Sequence, residues 1–81
     1  MTNALKIGQT ITIDSFPVQI IAIAAKHDIQ DFYVILGKSD ILGHLISECD
    51  IEGKHYVYTT FFANAEEAYI SYVDRAFGVN V

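Results

Sequence analysis

The stretch QTITIDSFPVQIIAIAA, Gln9 to Ala25, decides the fold. Its first part alternates. Ile11 and Ile13 take one face while Thr10 and Thr12 take the other, the period of a strand with one buried side. Asp14 to Pro17 (DSFP) interrupts the pattern as a turn. VQIIAIAA, from Val18 onward, is apolar on both faces and rich in β-branched residues, so it reads as a central strand. A hairpin with Ile13 opposite Val18 sets Ile11 against Ile20 and Gln9 against Ala22. On the other surface Thr10 then lies beside Ile21, and Gly8 beside Ile23. The second strand therefore offers apolar groups to both sides of the sheet it joins.

Working outward, KHDIQD is a turn, and FYVILG (Phe32 to Gly37) is a second interior strand. GKSD closes another turn. A fourth strand runs from Ile41 to Cys49, Asp50 to Gly53 turn the chain, and KHYVYTTFF (Lys54 to Phe62) is a fifth strand. The period then changes to helical. Asn64 with Glu67 three residues on forms a capping-box pattern, Glu66 and Glu67 suit the positive end of the helix dipole, and Gly78 supplies a left-handed stop. These signals predict a helix over Ala65 to Phe77. Ala65, Ala68, Tyr69, Tyr72, Val73 and Ala76 make one apolar face, which Ile70 and Phe77 extend on one flank. Such an arc is wider than docking on one sheet requires.

The expected fold is a single α+β domain: a five-stranded, mainly antiparallel meander, curled toward a half-open barrel, with one C-terminal helix packed on it. If the helix covers one sheet face, the other still carries Ile and Val side chains. Of the 81 residues, 52% are hydrophobic, and mean hydropathy is +0.30. That is more apolar material than so short a chain needs for its own core. Self-association through the second sheet face, or through the helix flank, is the expected use of the surplus.

Charge narrows the partners. The net charge is −5, and the five basic residues (Lys6, Lys26, Lys38, Lys54, Arg75) are scattered, so no stripe exists to track a phosphate backbone or an anionic membrane. The acids are dispersed too, without the regular array that mimicry of DNA needs. The longest apolar run, Ile20 to Ala25, is far short of the ~20 residues of a membrane span. MTNALKIGQT has no apolar signal-peptide core, and a lone Cys49 excludes an intramolecular disulfide, so the expected setting is the cytoplasm.

Chemical motifs are few. GHLISECDIEGKH, Gly43 to His55, holds two histidines, a cysteine and three acids. With a short loop at Asp50 to Gly53, Cys49 faces Lys54 and Glu48 faces His55, so Cys49 and His55 point to opposite sides. His44 and Glu48 are four residues apart on one strand, about 13 Å, whereas zinc ligands lie ~2 Å from the metal. A bulge at Gly53 would align Cys49 with His55, but two ligands do not make a site. The reading is a hairpin with a Glu48–His55 cross-strand pair, with no metal and no cofactor. Acids on both sides of Cys49 disfavour a thiolate. GKS at Gly37 to Ser39 lacks the glycine of a phosphate-binding loop, since Phe32 stands there and a strand follows. Lys26–His27–Asp28 is a turn with no nucleophile signature, so no catalytic residue is assigned.

Aromatic residues carry the functional expectation. Tyr56, Tyr58, Thr60 and Phe62 share one face of the fifth strand, and Tyr69 and Tyr72 lie on the helix. Together with Ile70 and Phe77 they are the candidate interface or pocket residues. The favoured function is a small non-catalytic protein-interaction module, homodimeric and binding a protein partner, of the kind an accessory or inhibitor protein of a phage or mobile element would be. The alternative is a small-ligand sensor with an apolar, tyrosine-lined pocket between sheet and helix. An enzyme with His27, His44 or His55 as base is the third reading.

Overall fold

A computed structural model describes residues 5–28, 30–50 and 55–78. It contains β1 (Thr10–Ile13), β2 (Phe16–Ala25), β3 (Phe32–Ser39), β4 (Gly43–Asp50), β5 (Tyr56–Phe62) and α1 (Ala65–Phe77). The strands form one antiparallel sheet in the order β1-β2-β3-β4-β5, curled into a half-barrel, with α1 packed on one face.

Strand parity divides the core in two. Ile11, Ile13, Val18, Ile20, Ile35, Leu45 and Cys49 cluster on the face away from the helix. Val18, Ile20, Ile35, Leu45 and Cys49 have no exposed surface there, although no helix covers them. The curl itself closes this face, as β1 and β2 fold over β3 and β4. The apolar face left over in the sequence is thus used internally. On the helix side Val34, Leu36 and Ile46 pack against Ala68, Tyr72 and Ala76, with Ala22, Ala24, Phe62 and Val73 around them.

Gly37, expected to end the third strand, lies within β3. A Cβ there would come 2.5 Å from Val18 Cγ1. Without one, β2 closes over β3 and the sheet bends. The first hairpin is also tighter than expected. Asp14 and Ser15 take φ of 53° and 72°, a two-residue turn of the I′ kind, whose twist matches the strands it joins. Ile13 therefore pairs with Phe16 and Ile11 with Val18, two residues from the expected register. A shift of two keeps parity, so Ile11, Ile13, Val18 and Ile20 still share a face.

The helix follows its local signals. Glu67 N donates to Asn64 Oδ1 at 2.8 Å, and Gly78, at φ 66°, donates its amide to Asp74 O. His27 N donates to Ala76 O at 2.9 Å, tying the helix C-terminus to the segment after β2.

Candidate interaction surface

The β4–β5 hairpin departs from expectation, and the departure sorts the candidate residues. Its loop, residues 51–54, lies outside the described residues, as does the start of the fifth strand at Lys54 and the bulge considered at Gly53. Cys49 pairs with Tyr56 and Glu48 with Val57, but Ile46 pairs with Thr60. One extra residue therefore sits in β5, at Tyr58–Thr59 opposite Ser47, and Tyr58 takes φ 56°. This is the bulge position that usually holds glycine. The Ser47 hydroxyl donates to Val57 O at 3.3 Å and shares a 2.9 Å hydrogen bond with the Thr59 hydroxyl, repairing the broken ladder.

The bulge splits the expected aromatic ladder. Tyr56 joins the core on the curled face, while Phe62 packs under the helix. Tyr58 is 74% exposed between them. These three residues do not form one surface, because an inserted residue reverses the alternation of everything after it.

Glu48 does not pair with His55. His55 Nδ1 lies 3.2 Å from Asp50 Oδ2 instead. Glu48 turns toward the helix and is only 5% exposed. Its Oε2 is 3.6 Å from Lys26 Nζ and 3.7 Å from Arg75 Nη1. Arg75 also donates to Tyr58 O at 2.8 Å and to Thr60 Oγ1 at 3.1 Å. One carboxylate thus links the end of β2, β4, β5 and α1. Among the described residues no three His, Cys, Asp or Glu side chains converge as a metal site would require. The Cys49 thiol is pushed up to about 11, first by burial and then by the charge of Asp50.

The helix residues do gather. Tyr69 and Tyr72 rings lie 6.3 Å apart, and Tyr72 meets Phe77 edge-on at 6.3 Å. Tyr72 is buried on the sheet with Ala68 and Ala76, and its hydroxyl is held protonated by burial and by Tyr69. Tyr72 is thus part of the helix-side core. Outside that core lie Tyr69, Ile70 and Phe77, 56%, 62% and 53% exposed. With half-buried Val73 they make a stripe at i, i+1, i+4 and i+8 on one flank of α1.

This flank lies on the side of α1 away from Arg75, whose guanidinium reaches β5. Ala22 and Ala24 of β2 are half-buried and, like Val73, pack against the helix-side core. Ile21, at a second bulge between Ile20 and Ala22, is 43% exposed. These β2 residues were absent from the sequence-derived candidates. Their signal was the pair of alanines on one face of an otherwise bulky strand.

A separate open groove of about 440 Å³ is lined by residues of β1, β2 and the β3–β4 turn, among them Thr10, Pro17, Gln19, Lys38, Asp40 and Ile41. Comparison with family models, with curated proteins and with solved structures gave no match.

Proposed function

We propose that this chain is a small non-catalytic protein-interaction module that works as a homodimer in the cytoplasm and engages a protein partner. One observation carries the reading: the exposed, uncharged Tyr69, Ile70 and Phe77, which with half-buried Val73 form a stripe on one flank of α1. The large side chains of this region, with Ile21, leave on the order of 500 Å² of surface open, most of the ~800 Å² per partner that a standard interface uses. Aromatic residues in such a patch are the usual energetic anchors of an interface. The buried Cys49 thiol fits a reducing compartment.

Sedimentation velocity across micromolar concentrations tests this reading. The wild-type chain is expected to be a dimer, and Ile70→Asp to shift it toward monomer without loss of helix or sheet signal. A wild-type chain that stays monomeric throughout overturns the homodimer.

A further inference from the structure

We infer that a second copy of this chain pairs with the outer edge of β2, from Ile21 to Ala25, antiparallel about a two-fold axis through Ile23. This rests on the homodimer reading and specifies its interface.

The edge is open because β1 is short. Pairing of β1 with β2 runs only from Ile13–Phe16 to Thr10–Gln19, and Ile20 exchanges the last bonds with Gln9 O and Gly8 N at 2.9 and 2.7 Å. The chain then turns away, with Gln9 N bonded to Lys6 O at 3.1 Å. Beyond this point β2 pairs on one side only, with β3. Lys26 N donates inward to Phe32 O at 2.8 Å, so alternation aims the amides and carbonyls of Ile23 and Ala25 outward. Among the described residues nothing bonds to them there.

The other edges are protected as natural sheets protect theirs. β1 has only four residues, and β5 carries the Tyr58 bulge. Ile21–Ala25 has no charge and no proline, and among the described residues no strand pairs with its outer side, the profile of an edge able to pair.

A second copy fits this edge better than a charged partner. Each chain carries −5, so contact between copies is disfavoured over most of their surface. Ile21 to Ala25 and Tyr69, Ile70, Val73 and Phe77 are all uncharged. Pairing about Ile23 sets 21 opposite 25 and 23 opposite 23. It also keeps both helices on the same side of one continuous sheet. Ala22 and Ala24 of both copies then lie on the helix side of the joined strands, between the two helices. The strand edge is self-complementary, as a two-fold interface requires.

The test combines sedimentation of the full chain with amide hydrogen exchange read by NMR, for wild type, Ile21→Lys, Ala25→Lys and Ile70→Asp. The expected result is a dimer in which the Ile23 and Ala25 amides gain protection with concentration. Either edge lysine should raise the dimer Kd about tenfold or more. A dimer whose Ile23 and Ala25 amides exchange freely, and which only Ile70→Asp dissociates, overturns edge pairing and leaves self-association through the helix. A monomer overturns both. The exchange measurement is made on wild type, so it decides the matter even if a lysine variant fails to fold.

Discussion

Arg75 Nη1 donates to the carbonyl oxygen of Tyr58 at 2.8 Å. A helix residue therefore holds a left-handed tyrosine in the middle of an edge strand. A side chain with a Cβ pays roughly 1–2 kcal/mol for that backbone conformation. Tyr58 is 74% exposed, so little burial offsets the strain within the isolated chain. The conformation is held by the Arg75 hydrogen bond and, on the other side of the bulge, by the Ser47 hydroxyl bonded to Val57 O.

Tyr58→Gly is accordingly expected to raise stability by about 0.5–1 kcal/mol, because glycine takes φ 56° without a Cβ penalty. Urea unfolding measures it. A fall of more than about 1 kcal/mol would show that the ring makes contacts worth more than the strain.

Glu48 holds the charges that close the helix against the sheet. Glu48→Gln leaves Lys26 and Arg75 facing a neutral amide in a site of low exposure, and the expected loss is about 3 kcal/mol. Lys26→Met should cost less, near 1 kcal/mol, since Arg75 remains to pair the carboxylate. Equal effects of the two substitutions in chemical denaturation would mean that Glu48 is not the hub.

Much of this architecture was legible in the sequence, and the reason is locality. The helix was readable to the residue because Asn64, Glu67 and Gly78 act within one turn of its ends. Strand faces were readable because parity survives a register error of two, as at Ile11 and Val18. The Tyr58 bulge was not readable. Its support comes from Arg75, seventeen positions away, and from Ser47 across the strand. The Glu48–His55 pair failed because Glu48 lies opposite Val57, two residues from the expected register, and its carboxylate meets Lys26 and Arg75 instead. Of the candidate residues, Tyr69, Ile70 and Phe77 came together because they share a helix flank. Tyr56, Tyr58 and Phe62 were separated by one inserted residue.

Gly37 tests the curl. Gly37→Ala puts a methyl 2.5 Å from Val18 Cγ1, and Val18 is fully buried with no room to yield. Overpacking of this kind is expected to cost about 2 kcal/mol. Val18→Ala removes the clashing methyls, so the double variant should be more stable than the sum of the two single losses predicts. Additive losses in urea midpoints would show that Gly37 does not set the approach of β2 to β3.

Cys49 gives the chain an alkaline limit. The thiol's pKa rises from an ordinary 9.0 to about 11 in the folded state. Between those values the unfolded chain releases the proton while the folded chain keeps it, so stability falls as pH rises. The contribution is whole below pH 9 and is lost by about pH 11, on the order of 2 kcal/mol. Cys49→Ala removes this dependence and costs some stability at neutral pH through lost packing. The two proteins should therefore converge in stability between about pH 9 and 11, the interval between the thiol's open-chain and folded pKa values. Tyr72, whose hydroxyl burial also keeps protonated, is present in both and cancels in the difference, whereas Tyr56, held up by burial and then by the Cys49 charge, is released in part by the same substitution. Parallel stability curves across that interval would show that the Cys49 thiol ionises as readily in the fold as in the open chain.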